Sequence, residues 1–255
     1  MIHVNRRCTI TSNHLETSHQ PGSSGASSHP PNKGTWEYVE DWFDGGGQIR
    51  AAILRADELN CPPITKSTAA VLRLLTTTIG ARTVVEVGTG CGLSTAALLS
   101  GMAEDGVLTS IDVDAENQKA ARETLNSLGY ETGRARLIHG RALNVLPRLT
   151  DKGYDLIFVD ADKSEYTAIL EQARRLLRIG GILVFDNVLS RGNIADPSDH
   201  NPETLGMRDV ATELRDDEEW VPAILTVGHG LLVAVLRGPL MVGEVDSTSD
   251  STFPA

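Results

Sequence analysis

Val84-Val-Glu-Val-Gly-Thr-Gly-Cys-Gly-Leu-Ser94 is the stretch on which the reading of this chain turns. The apolar, β-branched run Thr83–Val87 predicts a short buried strand, and Gly88, Gly90 and Gly92 follow it at alternate positions. Glycines there let a tight turn take positive φ and let backbone come close to a ligand. A helix is predicted to start at once, over Ser94–Met102. In a doubly wound sheet this first strand-to-helix turn is where nucleotides dock. A dinucleotide fingerprint would need its third glycine one place later, where Leu93 stands, and no Lys-Ser/Thr pair makes the turn a P-loop. Glu86 instead precedes the first glycine by two residues. A carboxylate there suits a ligand with a cationic amino or sulfonium group better than a pyrophosphate. The next strand, Val107–Ile111, runs into Asp112, which is placed to accept hydrogen bonds from both ribose hydroxyls.

Outward from that turn, helical and extended periods alternate. Helices are predicted over Trp36–Asn60 (interrupted at Gly45-Gly-Gly47), Thr65–Ile79, Ala115–Leu128, Ala142–Leu149, Tyr166–Leu177 and Thr204–Asp216. Strands are predicted over Arg136–His139, Asp155–Val159, Gly181–Phe185, Val221–Val227 and Leu231–Leu236, the last two joined by the hairpin signal Gly228-His229-Gly230. The expected fold is α/β: a Rossmann-like, doubly wound, seven-stranded, mostly parallel sheet with an antiparallel C-terminal hairpin strand, in one domain over residues 35–237. Residues 1–34 read as a disordered Ser-, Gly-, Pro- and His-rich tail, and residues 238–255 as a loose acidic one. Four of the seven histidines fall in the first tail, with spacing too irregular for a metal-binding tract.

Composition narrows the function. Of 255 residues 40% are hydrophobic and 22% charged, enough for a sizeable core, and the net charge of −11 disfavours nucleic acid and anionic membranes as partners. Cys8, Cys61 and Cys91 are odd in number with no CxxC pair, which disfavours a disulfide framework or zinc knuckle. No apolar run is long enough to span a bilayer, and Met1–Gln20 lacks the apolar core of a secretion signal, so a cytoplasmic protein is expected.

Two further motifs carry chemistry: Phe158-Val-Asp-Ala-Asp-Lys-Ser-Glu-Tyr166 and Phe185-Asp-Asn-Val-Leu-Ser-Arg-Gly192. Asp160 ends one predicted strand, and Asp186 with Asn187 ends another, both on the carboxyl edge where ligands bind. Two carboxylates and an amide offer hard oxygen ligands, which suit Mg²⁺, Mn²⁺ or Ca²⁺ better than zinc. The same residue types also favour caps and turns. Lys163 follows Asp160 by three residues. A nearby cation and partial burial would depress its pKa and make it a base, the lesser alternative being a surface lysine at a helix start.

With these motifs the chain resembles the class I S-adenosylmethionine-dependent methyltransferases over roughly residues 40–237. More narrowly, it is similar to the cation-dependent O-methyltransferases, the group of catechol and caffeoyl-CoA O-methyltransferases and their bacterial homologues. The resemblance implies that Glu86, Gly88, Thr89 and Ser94 surround the methionine part of the cofactor, S-adenosyl-L-methionine. It puts Asp112 on the ribose, Val113 and Ala142 at the adenine, and Ile64 and Asp162 at further cofactor contacts. It makes Asp160, Asp186 and Asn187 the ligands of a divalent cation (Mg²⁺ first, Mn²⁺ or Ca²⁺ next), brings Asp160 to the substrate as well, and makes Lys163 the base. The implied activity is methyl transfer to a hydroxyl of a small catechol-type or phenolic acceptor, by a homodimer, with the acceptor gripped by Trp36–Asn60 and Leu189–Pro202. Two alternatives are a non-catalytic cofactor-binding protein of this fold and a methyltransferase acting on a macromolecule. The Asn/Asp-Pro-Pro-Tyr/Phe motif of amino-methylating enzymes is absent at Val159-Asp-Ala-Asp162.

Overall fold

A computed structural model describes residues 32–43, 46–58, 61–131 and 133–238. The bulk of both expected tails, residues 1–31 and 239–255, lies outside the described residues. Seven strands form one sheet: β1 (Thr83–Val87), β2 (Val107–Asp112), β3 (Ala135–His139), β4 (Tyr154–Val159), β5 (Leu177–Phe185), β6 (Trp220–Leu225) and β7 (Leu231–Leu236). Their order is β3-β2-β1-β4-β5-β7-β6. β1 to β5 pair in parallel, while β7 lies antiparallel between β5 and β6. This is the expected α/β architecture, and the order reverses direction at β1/β4, the position where such sheets bind ligands.

The helices are α1 (Lys33–Trp42), α2 (Gly46–Glu58), α3 (Lys66–Thr78), α4 (Leu93–Gly101), α5 (Ala115–Ser127), α6 (Ala142–Val145), α7 (Tyr166–Leu176) and α8 (Pro202–Asp216). Strand side chains alternate between two cores. Val84, Leu108, Leu156 and Phe158 pack with Leu72 of α3 and Leu98 of α4, whereas Val85, Ile157, Val159 and Phe185 pack with Ile169 of α7 and Val210 of α8. Burial on both faces explains why the central strands read as continuous apolar runs rather than alternating ones.

Several boundaries differ from the sequence reading. The helix predicted over Ala142–Leu149 makes one α turn and then tightens to a 3₁₀ turn over Leu146–Arg148, because Pro147 has no N–H to continue the ladder. β5 begins at Leu177, not Gly181, and its pairing with β4 shifts register between Tyr154 and Leu156. β6 covers Trp220–Leu225 and stops short of the predicted Val227. α1 begins at Lys33, inside the stretch read as a tail, where the Asn32 side chain accepts from the Thr35 N–H at 3.0 Å.

Candidate active site

Parallel pairing sets the strand ends side by side. Val87, Val159 and Phe185 are in register across β1, β4 and β5, so Gly88, Asp160 and Asp186 leave the sheet as neighbours. The Asp160 N–H donates to the Val87 carbonyl (2.8 Å), and the Asp186 N–H to the Val159 carbonyl (3.0 Å). The turn after β1 is equally constrained. Gly88 has φ +95°, and a Cβ there would stand 1.9 Å from the Asp160 carbonyl oxygen. Gly92, at φ +86°, caps α4 against Ala121, whose Cα would lie 2.9 Å from an added Cβ. Only glycine combines these backbone angles with so close an approach.

Asp112 braces this turn: its Oδ2 accepts from the Thr89 and Gly90 N–H groups, both at 3.0 Å. Two hollows flank the turn and share Gly88, Asp112 and Asp160 in their walls. The larger, ≈ 280 Å³, is lined by Val113, Ala142 and Asp162. The other, ≈ 160 Å³, is lined by Ile64, Thr89 and Ser94. All but one of the residues expected at the cofactor therefore line this bipartite cleft. Asp162 does so from its rim, while its side chain also accepts from the Ser164 N–H at 2.9 Å.

Glu86 is the exception. It lies wholly buried behind the turn and contributes to neither wall. Its Oε2 accepts from Thr95 Oγ1 and Ser110 Oγ, both at 2.5 Å, and Oε1 has no partner. Burial pushes its pKa from 4.5 up to about 7, against the pull of the Ser110, Ser94 and Thr95 hydroxyls. A hydrogen-bonded relay leads back to the turn: the buried Gln118 amide donates to Thr89 Oγ1 (2.8 Å), and the Thr89 hydroxyl bonds Ser110 Oγ (2.6 Å). Sequence reading missed Ser110 and Gln118, although a serine paired with Glu86 inside a buried strand was a readable signal.

The expected metal ligands do converge. Burial pushes the Asp160 carboxyl upward, with Lys163, the Asn187 side-chain hydrogen bond and His229 acting in the other direction. Burial, and then repulsion from Asp160, lifts Asp186 to about 7. Asn187 takes a left-handed φ of +61°, and its N–H donates to Asp186 Oδ1 at 2.7 Å, so the pair also forms the turn that its residue types favour. Among the described residues no three or more His, Cys, Asp and Glu side chains assemble as a metal cluster. The third hard oxygen would have to come from Asn187.

Lys163 lies on a 3₁₀ turn, Lys163–Glu165, and is not free: its Nζ stands 3.3 Å from Glu203 Oε2 at the start of α8. On the same turn Glu165 pairs with Arg141 across the rim of the larger hollow. Nothing in the sequence links either pair. Tyr166, next along, is fully buried against Phe185 with ring centroids 4.8 Å apart, and its hydroxyl has no partner. It packs beneath the acids and lines neither hollow.

Known proteins share both the sequence pattern and this architecture. The model of the O-methyltransferase family matches residues 48–237. A Mycolicibacterium smegmatis protein carrying an O-methyltransferase name is 42% identical over 187 residues, which covers 73% of this chain and 89% of its own. A Mycobacterium tuberculosis protein of similar name is 37% identical over 218 residues, covering 84% and 97%. Among solved structures, the Streptomyces achromogenes O-methyltransferase TomG, in complex with S-adenosylmethionine, matches at TM-score 0.74 and 26% identity over 82% of this chain and all of its own. The Bacillus cereus O-methyltransferase in complex with S-adenosylhomocysteine matches at TM-score 0.73 and 25% identity, covering 80% and 99%. No described helix is long and apolar enough to cross a membrane. The family match, the relatives and the glycine-turned cleft together make this chain a member of the O-methyltransferase family of S-adenosylmethionine-dependent enzymes.

Proposed function

We propose that the chain moves the methyl group of S-adenosylmethionine to a hydroxyl of a small catechol-type or phenolic acceptor, at a site that holds a divalent cation, Mg²⁺ first. The observation that carries this reading is the apposition of Asp160 and Asp186 beside Gly88, two largely buried carboxylates whose pKa values are both raised. Such a pair, with the Asn187 amide, fits a hard cation by charge and by donor type. A cation bound there would act as a Lewis acid that eases loss of the acceptor's proton and suits two adjacent oxygens.

The chain's own residues supply the rest. Ile64, Thr89 and Ser94 would hold the methionine end, and Asp112, Val113 and Ala142 the adenosine. The sulfonium methyl would then face the shared wall at Gly88 and Asp160. Lys163 would accept the acceptor's proton, and Glu203 would stabilise the ammonium so formed. Much of the acceleration would come from positioning the two partners in line. A homodimer belongs to the same reading, supported by the edge strand β6, which presents Val221 and Ile224 to solvent.

The test pairs Lys163→Met with Asp186→Ala. Each should lower kcat on catechol about a hundredfold or more, with cofactor affinity within about threefold of the parent. Full turnover in Asp186→Ala would exclude this mechanism.

A further inference from the structure

We infer that Glu165, held in place by Arg141, reads the base of the cofactor and selects adenine, by its exocyclic amino group, over a 6-oxo purine. The inference rests on the reading that seats the adenosine in the larger hollow and deepens it.

That hollow has two ends. Gly88, Asp112 and Asp160 form the wall it shares with the smaller hollow. With the sulfonium and the ribose at the shared wall, the base falls at the other end, lined by Val113, Ala142, Arg141 and Glu165. Two loops meet over this end. After β3, the Gly140 N–H donates to the Asp112 carbonyl at 2.8 Å, and Ala142 is buried, so Arg141 is fixed between them. After β4, the Glu165 N–H donates to the Asp162 carbonyl at 3.0 Å, and the fully buried Tyr166 anchors the next position. An ion pair between Arg141 Nη2 and Glu165 Oε1 joins the two loops. The pair is lopsided. The Arg141 side chain is 68% exposed and that of Glu165 only 16%, so the carboxylate is the inward member.

Four acids line the hollow, and three have other places in it. Asp112 accepts from the Thr89 and Gly90 N–H groups at the ribose wall, and Asp160 stands in the wall shared with the smaller hollow. Asp162 is exposed and accepts from the Ser164 N–H. Glu165 gives Oε1 to Arg141, and its Oε2 has no hydrogen bond among the described residues. A carboxylate paired to a guanidinium accepts hydrogen bonds and donates none. The 6-amino group of adenine donates, and to such an oxygen it makes a charge-assisted bond. A 6-oxo group at the same place is a second acceptor and meets the carboxylate with repulsion. Glu165 is thus the binding residue, and Arg141, which acts through it, a positioning residue.

Calorimetry on the full chain compares S-adenosylhomocysteine with its deaminated counterpart, S-inosylhomocysteine. The parent should bind the adenosyl ligand at least about a hundredfold more tightly. Glu165→Gln, whose amide can donate to a 6-oxo group, should narrow that preference about tenfold, chiefly by gaining affinity for the inosyl ligand. Arg141→Ala should narrow it by a smaller factor, and Arg141→Lys should restore part of the loss. A merely structural role for the pair would weaken both ligands together and leave their ratio unmoved. An unmoved ratio in Glu165→Gln, with S-adenosylhomocysteine still bound, would overturn the assignment and leave the seating of the adenosine standing. Failure of the parent to bind S-adenosylhomocysteine at all would defeat both.

Discussion

Glu86→Gln should make the ligand-free protein more stable in mild alkali and a poorer binder of S-adenosylmethionine. Glu86 is fully buried, and its pKa rises from 4.5 to about 7 on folding. The folded state therefore holds the proton more tightly than the unfolded chain, and stability falls as pH rises through that window. At ~1.4 kcal/mol per pH unit, the ionised carboxylate costs about 3 kcal/mol above pH ~7. Near pH ~5 only about 1 kcal/mol of that cost is present. Glutamine is neutral throughout, so urea unfolding should show the variant gaining on the parent by about 2 kcal/mol between pH ~5 and pH ~8. Parallel stability curves for the two proteins over that range would refute the burial argument. The same substitution removes the negative charge behind the hollow of Ser94 and Thr89, so affinity for the cationic cofactor should fall about tenfold. Instability traded for ligand binding is the expected character of a buried carboxylate with a vacant acceptor atom.

Two other substitutions test the turn and the acceptor loop. Gly88→Ala would drive a Cβ against the Asp160 carbonyl, which cannot move without breaking the β1–β4 edge; a loss of at least about 3 kcal/mol in unfolding free energy is expected, with cofactor binding abolished in calorimetry. Arg208 donates to the carbonyls of Ile194 (3.0 Å), Asp199 (2.7 Å), Asn193 (2.8 Å) and Asp196, and so fixes the loop between the acid pair and α8. Arg208→Ala should raise the acceptor KM about fivefold or more while leaving cofactor affinity unchanged, and an unchanged KM would show that this loop does not grip the acceptor.

Much of this architecture was readable because local signals agreed. β1 and β7 carry their predicted bounds, since each is an apolar run closed by glycines or charges. The cleft at the β1 turn was readable for the same reason: one strand, one turn and one strand end supply Gly88, Thr89 and Asp112 within a single βαβ unit. What sequence could not show is what distant segments bring. Glu203 reaches Lys163 only because α8 lies against the turn after β4. Arg141 and Glu165 meet across two loops, and the β6–β7 turn reaches the carboxyl edge by the antiparallel return of β7. Glu86 was expected at the cofactor and not as a wholly buried residue, because its exclusion from the cleft depends on how α4 and β2 close over it.

Methyl transfer from S-adenosylmethionine to catechol by the full chain is the most direct measurement of what this site does. It should be followed with added Mg²⁺, after EDTA, and after Mg²⁺ is restored. Methylated product should form, stop, and form again, with Asp186→Ala inactive in all three conditions. Product formation undiminished by EDTA would contradict a metal-holding role for Asp160, Asp186 and Asn187.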